Sequence, residues 1–231
     1  INASAYTAVD AAETEPGRRT CWEVNVTGLG RLVEIARAHR IALVHVSTDY
    51  VFDGTRLEHD EDEPLSPLGV YGQTKAAGDA LVATLPQHYL VRTSWVIGEG
   101  RNFVATMLDL ARRGVKPSVV ADQFGRLTFT ADLAAGIVHL RSSQAPVGTY
   151  NLTSDGPVHS WFEVASDIFV RAGRSAHDVA PVTTEEYAAG KPTAPRPRHS
   201  TLSLSKIKAA GFHPELASRR LTDYVAGSPA S

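Results

Sequence analysis

The feature that most constrains this chain is a largely apolar stretch at residues 41–46, which ends in the hydroxyl side chains of Ser47 and Thr48. A strand with apolar residues on both faces is typical of a parallel sheet that is covered by helices. In open parallel sheets, ligands bind outside the carboxyl ends of the strands. We therefore expect Thr48, Asp49 and Tyr50 to lie at a ligand-binding edge.

Segments with helical periodicity alternate with short apolar runs along most of the chain. The pattern predicts helices at about 20–39, 71–85, 103–113, 131–141 and 159–172, and strands at 41–48, 89–97, 118–121 and 149–152. In the first helix we expect one apolar side, formed by Val24, Leu29, Leu32, Val33, Ile35 and Ala36. This alternation indicates βαβ units and predicts an α/β, Rossmann-like, doubly wound parallel sheet.

The predicted organisation is a larger and a smaller part. Residues 1–150 form the remaining part of a dinucleotide-binding Rossmann domain, and residues 151–231 form mainly a smaller substrate-binding lobe. No G-x-G-x-x-G loop precedes a helix, the first residue is Ile1, and the only methionine is Met107. We therefore expect the first βαβαβ half of the fold to be largely missing, and this chain to bind a dinucleotide poorly without it.

Composition excludes several classes of protein. The 231 residues are 43% hydrophobic and 21% charged, with a formal net charge of −2. This balance predicts neither a nucleic-acid partner nor a membrane partner. Cys21 is the only cysteine, so no intrachain disulfide forms; this fits a cytoplasmic location, and we interpret Cys21 as a small buried residue.

Tyr71 and Lys75 lie four residues apart at the start of a predicted helix, about twenty residues after the hydroxyls that end the strand. One helical turn brings the phenol and the ammonium to the same face. A cation beside a phenol favours the phenolate, so we expect Lys75 to lower the pKa of Tyr71. Such a phenol exchanges a proton with a substrate oxygen. A strand-end hydroxyl followed by Tyr-x-x-x-Lys is the layout of short-chain dehydrogenases/reductases.

Five motifs, in order and spacing, resemble the dTDP-4-dehydrorhamnose reductase family of extended short-chain reductases. They are NASAYTAVD at 2–10, STDYVFDG at 47–54, PLGVYGQTK at 67–75, RTSW at 92–95 and NFV at 102–104. A weaker similarity returns at RPRHSTL, residues 196–202, and at Lys206.

The resemblance implies reduction of the 4-keto group of dTDP-6-deoxy-L-lyxo-4-hexulose to dTDP-L-rhamnose with NADPH or NADH. It implies these roles by position: Thr48, Tyr71 and Lys75 are catalytic; Ala5, Tyr6, Thr7, Tyr71 and Lys75 bind the cofactor; Thr48, Asp49, Trp95 and Arg196 bind the substrate. Thr48 and Tyr71 would donate to the carbonyl oxygen as negative charge develops on it. Arg196 would contact the diphosphate. The resemblance also allows a homodimer.

Three segments depart from the family pattern. Arg126 and Leu127 stand where the family has a small residue and proline, and we expect them to alter a loop near the substrate. His199 replaces an asparagine, and Ser4 replaces an alanine.

The residues also allow other readings. Two alternative functions are a regulatory subunit of the methionine adenosyltransferase beta type and another nucleotide-sugar epimerase or reductase.

The four acids at 60–63 are interpreted as a solvated turn, so no metal ligand is assigned, although some members of the family use Mg²⁺. His45 is interpreted as a buried packing histidine, and Trp161 and Phe162 as core residues.

Overall fold

The computed structural model describes residues 1–227, so the last four residues of the predicted C-terminal lobe lie outside it. The helices are α1 Glu15–Trp22, α2 Leu29–Ala38, α3 Val70–Ala83, α4 Phe103–Arg112, α5 Thr130–Ser142, α6 Trp161–Arg171, α7 Thr184–Ala188, α8 Ser205–Ala209 and α9 Ala217–Gly227. The strands are β1 Leu43–Thr48, β2 His88–Thr93, β3 Val96–Ile97, β4 Ser118–Val120, β5 Phe124–Gly125, β6 Thr128–Phe129, β7 Gly148–Asn151, β8 His159–Ser160 and β9 Ala180–Val182.

A three-stranded parallel sheet with the order β1-β2-β7 lies at the centre of the fold. Thr48 pairs with Thr93, and Arg92 pairs with Asn151, so the carboxyl ends of the strands share one edge. On the other side of β1, Asn2 forms a parallel bridge with His45. The predicted α/β class with a parallel sheet is confirmed, and Thr48 ends β1 at the edge where ligand binding is expected.

Helix α3 begins where a carboxylate from a distant segment satisfies its first amide. The Val70 amide donates to Glu13 Oε1 at 2.8 Å, which replaces the side-chain cap that Gly69 cannot supply. The helix ends at Ala83, three residues before Pro86. The contact with Glu13 fixes the first turn of α3 against the N-terminal segment of the chain.

The predicted strand at 89–97 is wrong as a continuous element, because Trp95 interrupts it with a φ of 48°. The Thr128 hydroxyl donates to Ser94 O at 2.6 Å, and the Thr128 amide donates to Trp95 O at 3.1 Å. These bonds direct the chain out of the central sheet, so β3 pairs with β6 instead of continuing beside β1.

The helix predicted at 20–39 exists, but its expected apolar side is only partly correct. Leu29, Val33 and Ala36 are buried, whereas three other members are exposed: Val24 by 40%, Leu32 by 41% and Ile35 by 52%. A π-helical stretch, Glu23–Gly28, joins α1 to α2 and changes the phase of the helix. A strict 3.6-residue period therefore assigns the wrong face to part of the segment.

Two of the hydrophobic cores combine distant parts of the chain. One joins α4 and α6 through Met107, Leu108, Ile168 and Phe169. The other packs Val44 of β1 and Tyr150 of β7 against Ile207 of α8. The predicted division after residue 150 stays a prediction, and both cores combine residues from its two sides. Within residues 1–227, no helix is long and apolar enough to cross a membrane.

Ile168→Ala tests the first core, because this side chain is fully buried in α6. We expect a loss of about 2–5 kcal/mol in the free energy of unfolding, measured by urea denaturation, because the deletion leaves a cavity. Val170→Ala is the matched control on the same helix, where the side chain is 54% exposed, and it should cost about 0.5 kcal/mol or less. Equal losses in the two variants would contradict the described packing.

Candidate active site

The structure brings Thr48 and Tyr71 together at the carboxyl end of β1. Tyr71 lies in the first turn of α3, and the Thr48 hydroxyl is a hydrogen-bonding neighbour of its phenol. The Tyr71 ring also meets the Tyr50 ring edge to face, with centroids 5.6 Å apart. Two hydroxyl groups therefore converge at one point of the sheet edge.

Gly72 allows this close approach of α3 to the strand end. A Cβ atom at Gly72 would lie 2.2 Å from Tyr50 O, so the backbone of α3 or of Tyr50 would have to move. The absence of a side chain lets the Tyr50 carbonyl lie against the first turn of α3. This contact holds the phenol of Tyr71 beside the end of β1.

Thr48 is held in place by its two following residues. Its hydroxyl donates to Asp49 Oδ1 at 2.9 Å and accepts from the Tyr50 amide at 3.2 Å. Asp49 is only 3% exposed. The predicted contact between Asp49 and the sugar stays a prediction, because in this structure the carboxyl group is turned towards Thr48.

The ionisable groups of this cluster are perturbed mainly by burial. Burial raises the pKa of Asp49 to about 6, against the opposing effect of the Ser200 and Thr48 hydroxyls. Burial, and next the charge of Asp49, raise the pKa of Tyr71 above its ordinary value. The expectation of a lowered Tyr71 pKa is thus wrong for this structure. At neutral pH the phenol is protonated and can donate.

Lys75 faces the strand rather than the phenol. Its Nζ donates to Val46 O at 2.8 Å and lies 3.1 Å from His45 Nε2, and the residue is 2% exposed. Burial lowers its pKa to about 8, while the charges of Asp79 and Cys21 oppose that shift. Since an ammonium carries three hydrogens, two contacts on β1 leave one hydrogen for another acceptor. His45 is buried as predicted.

The loop at residues 5–7 lies beside the start of α3. Asn25 accepts from the Tyr6 amide at 2.8 Å, and its Nδ2 donates to Tyr6 O at 3.2 Å and to Thr74 Oγ1 at 3.0 Å. The Tyr6 ring packs in the same small apolar cluster as Tyr71 and buried Cys21. Sequence reasoning missed Asn25, which lies inside a helix far from the residues that it joins.

A cavity of about 390 Å³ opens on the side of Tyr50 that is turned towards the C-terminal half of the chain. Its lining is aromatic and apolar with a few polar groups: Tyr50, Phe103, Thr106, Met107, Ser118, Val119, Val120, Gln123, Trp161, Thr184, Tyr187, Ala188, Thr193, Ala194 and Arg196. Tyr50 and Ala194 also border a smaller hollow beside Tyr71. The cavity therefore adjoins the hydroxyl cluster and has the size of a small-molecule site.

Arg196 lines this cavity, and its guanidinium contacts both carboxylate oxygens of Asp10. Its Nη2 lies 2.8 Å from Asp10 Oδ1 and 3.0 Å from Oδ2, and its Nη1 donates to Ala194 O at 3.0 Å. The predicted phosphate contact stays a prediction. A guanidinium at the cavity wall suits an anionic ligand, which would have to compete with the carboxylate of Asp10.

Trp95 does not itself line the cavity, but it stacks on a residue that does. The ring centroids of Trp95 and Trp161 lie 3.6 Å apart. Trp161 was expected in the core, and it forms part of the cavity wall beside Phe103. The sequence alone could not reveal this wall, because an aromatic residue at the start of an amphipathic helix reads as a core position.

The acids at 60–63 form a turn, as the sequence indicated, but only Asp60 and Asp62 are exposed to solvent. Glu63 is 9% exposed and contacts His59 Nδ1 at 2.9 Å, and Glu61 accepts from the Asn151 amide at 2.9 Å. Glu61 thus joins this loop to β7, whereas Glu63 contacts a histidine of the same loop. In the part of the chain that the structure describes, no group of three or more His, Cys, Asp or Glu side chains could hold a metal ion.

The positions that depart from the family pattern have structural contacts. Arg126 donates through Nε to Gly156 O at 2.9 Å and through Nη1 to Leu202 O at 3.0 Å. Leu127 is buried, and the His199 ring stacks on Phe124. The Arg126 side chain therefore holds three segments together and does not line the large cavity.

Comparison with known proteins gives a consistent result along the chain. The sequence profile of the RmlD substrate binding domain matches residues 1–227. A dTDP-4-dehydrorhamnose reductase from Aggregatibacter actinomycetemcomitans is 41% identical over 225 residues, covering 93% of this chain and 76% of that protein. The spore coat polysaccharide biosynthesis protein SpsK of Bacillus subtilis is 38% identical, covering 97% of this chain and 77% of that protein.

The fold has close counterparts among solved structures. The crystal structure of dTDP-4-dehydrorhamnose reductase from Bacillus anthracis in complex with NADP superposes with a TM-score of 0.87 at 36% identity. The match covers 97% of this chain and 78% of that one. The predicted Rossmann-like class is thereby confirmed.

Asp49→Asn tests the electrostatics of the cluster. A carboxyl whose pKa rises from 3.8 to about 6 on folding destabilises the native state above pH 6, and this cost disappears as the pH falls to 3.8. We expect the variant to be more stable than the wild type at pH 7.5, by up to about 3 kcal/mol, with a gain that is lost near pH 4. Urea denaturation at both pH values measures this difference.

Asp53→Asn is the control for that experiment, because the Thr55 amide holds the pKa of Asp53 below its ordinary value. Its loss should therefore destabilise the protein at pH 7.5, with a smaller effect below pH 4. A stability gain for Asp49→Asn that is independent of pH, or no gain at all, would contradict the assigned cost of burial.

Proposed function

The chain belongs to the RmlD substrate binding domain family, and on that premise we propose that it is a dTDP-4-dehydrorhamnose reductase. In this role it reduces the 4-keto group of dTDP-4-dehydro-6-deoxy-L-mannose to dTDP-L-rhamnose with NADPH or NADH. The observation that carries the proposal is the convergence of the Thr48 hydroxyl and the Tyr71 phenol beside a cavity of about 390 Å³.

The donor set at the end of β1 fits a nicotinamide cofactor. Lys75 uses two of its three ammonium hydrogens on Val46 O and His45 Nε2, and the third suits a ribose hydroxyl. Ala5, Tyr6 and Thr7 would line the cofactor beside this lysine. Bound NADPH or NADH supplies the hydride, and the protein supplies position and a proton.

Tyr71 is the proposed general acid. Hydride addition leaves negative charge on the C4 oxygen, and the phenol transfers its proton to that oxygen. The raised pKa of Tyr71 keeps the phenol protonated until the alkoxide, a stronger base than a phenolate, develops. An ionised Asp49 beside the phenol thus favours the acid form that reduction requires.

Thr48 is the proposed second donor to the same oxygen. In the ligand-free geometry its single hydrogen points to Asp49 Oδ1. Binding of the keto sugar would turn the hydroxyl from the carboxylate to the sugar oxygen, while the Tyr50 amide continues to hold Thr48 Oγ1. Two donors fixed before the reaction stabilise charge on the oxygen without further reorganisation.

The nucleotide part of the substrate is proposed to occupy the cavity. Aromatic walls from Tyr50, Phe103 and Trp161 suit a flat base, and Arg196 would exchange Asp10 for the diphosphate. Trp95 would support the wall through its stacking on Trp161.

The alternative functions receive less support. The matches described above favour the reductase over a regulatory subunit of methionine adenosyltransferase, and the Thr48, Tyr71 and Lys75 set is complete. A homodimeric assembly and a use of Mg²⁺ remain predictions from the resemblance, and a cytoplasmic location remains a prediction from the single cysteine.

Tyr71→Phe tests the proposal in the protein expressed from its full coding sequence. We expect the rate of NADPH oxidation with the keto sugar to fall by about 10²–10⁴-fold, because the variant lacks the proton donor. The absorbance of the reduced nicotinamide measures this rate. Tyr89→Phe is the matched control, since that hydroxyl donates to Ala145 O far from the cluster. Full activity in Tyr71→Phe, or an equal loss in both variants, would contradict the assigned role.

A further inference from the structure

His45 forms a buried connection between the N-terminal segment and Lys75. The residue lies in the middle of β1 and is 2% exposed. Its Nε2 lies 3.1 Å from Lys75 Nζ, and its Nδ1 lies 3.0 Å from Asn2 Nδ2. Both ring nitrogens therefore contact polar atoms of other segments, which packing alone does not require.

The direction of the hydrogen bond follows from the chemistry of the two groups. An ammonium has three hydrogens and no lone pair, so a charged Lys75 can only donate to His45 Nε2. Burial, and next the charge of Lys75, lower the pKa of His45 to about 3, so its imidazole is neutral at physiological pH and has one nitrogen that accepts. Val46 O accepts a second hydrogen at 2.8 Å.

The ring tautomer connects Lys75 to Asn2. When Nε2 accepts from the ammonium, the ring hydrogen resides on Nδ1. The Asn2 amide, whose Nδ2 lies against Nδ1 in this structure, must then rotate to offer its oxygen as the acceptor. When Lys75 is neutral, His45 Nε2–H donates to the amine, and Asn2 Nδ2 donates to His45 Nδ1. Asn2 Oδ1 is then left to accept from the Ser4 amide, at 3.1 Å. The orientation of one side-chain amide is thus linked to the charge of Lys75.

We propose that His45 is a positioning residue for Lys75: its neutral imidazole accepts one ammonium hydrogen, stabilises the charged form and, with Val46 O, leaves the remaining hydrogen for the ribose hydroxyl of the cofactor. This inference rests on the proposed reductase function only for its effect on turnover. The contact itself exists without any ligand.

The other charged groups around Lys75 do not supply this hydrogen bond. Asp79 lies on the same helix and forms a buried ion pair with Arg92 of β2, at 3.0 Å. Cys21 faces Lys75 from α1, and Tyr71 lies one turn before it on α3. Asp79 and Cys21 raise the pKa of Lys75 through their charge alone. His45 and Val46 O are the hydrogen-bond acceptors that the structure describes for its Nζ.

Two variants separate the hydrogen bond from packing. His45→Leu removes the acceptor and keeps a side chain of similar size, whereas His45→Gln offers an amide oxygen near the position of Nε2. The protein is expressed from its full coding sequence with ¹⁵N-labelled lysine, and Lys75→Met assigns the Nζ signal of Lys75. NMR then follows the titration of this nitrogen in the absence of cofactor and substrate.

We expect a midpoint near pH 8 in the wild type. The midpoint should fall by about one pH unit in His45→Leu, because a buried ammonium that has lost one of its two acceptors loses its proton more readily. It should return close to the wild-type value in His45→Gln. The alkaline limb of the kcat profile should move to lower pH by the same amount in His45→Leu, with KM for the keto sugar changed less than about threefold.

An unchanged Lys75 midpoint in a folded His45→Leu protein would overturn the proposal. If circular dichroism shows that His45→Leu does not fold, His45→Asn provides the same comparison with His45→Gln, because its shorter amide does not reach Nζ. A wild-type protein without reductase activity but with the expected shift would refute the proposed function and leave the positioning role intact. If the wild type is active and the Lys75 midpoint is the same in the wild type and in His45→Leu, the positioning role alone is refuted.

Discussion

A single buried amine joins the first turns of α3 to the end of the central sheet. Lys75 donates to the carbonyl of Val46 and contacts His45, and both residues belong to β1. Since Tyr71 lies one turn before Lys75 on the same helix, this contact fixes the phenol at the strand end beside Thr48. The close approach of the Tyr50 carbonyl to Gly72 completes the junction. The distance between the two reactive hydroxyls therefore depends on how α3 is held against β1.

This arrangement is costly for stability, because it buries several ionisable groups. The pKa of Lys75 is lowered to about 8, and that of Asp49 is raised to about 6, both mainly by burial. Each shift means that the folded state disfavours the charge that the group carries in water. The ion pair between Asp79 and Arg92 lies near the same junction, with Arg92 Nε 3.0 Å from Asp79 Oδ2. Perturbed pKa values of this kind are typical of functional sites. At such sites the buried charge makes the protein less stable than its packing alone would make it.

Sequence patterns predicted the elements of the fold better than the contacts between them. The apolar run before Thr48 predicted β1, and the spacing of Tyr71 and Lys75 predicted that both lie on one helix; both are correct. These features are local, so periodicity records them. The break at Trp95 depends on hydrogen bonds from Thr128, which is more than thirty residues away in the chain. A local pattern holds no information about such a partner.

The site was predictable to a similar degree. Thr48 and Tyr71 do meet, whereas the expected lowering of the Tyr71 pKa by Lys75 was wrong, because the Lys75 amine binds acceptors on a strand. Asn25 and Glu13 escaped notice for the same reason, and Trp161 was assigned to the core and not to the cavity wall. Each acts on a group that is distant in sequence, and each has an ordinary role in its own helix or loop.

A double-mutant cycle on Thr48 and Tyr71 tests most directly whether both hydroxyls act on one oxygen. The measurement is kcat/KM for the keto sugar in Thr48→Val, Tyr71→Phe and the double variant. We expect coupling: the double variant should lose about tenfold less activity than the product of the two single losses, because both donors stabilise the same charge. Losses that simply multiply would show that the two hydroxyls act independently, and would contradict a shared keto oxygen.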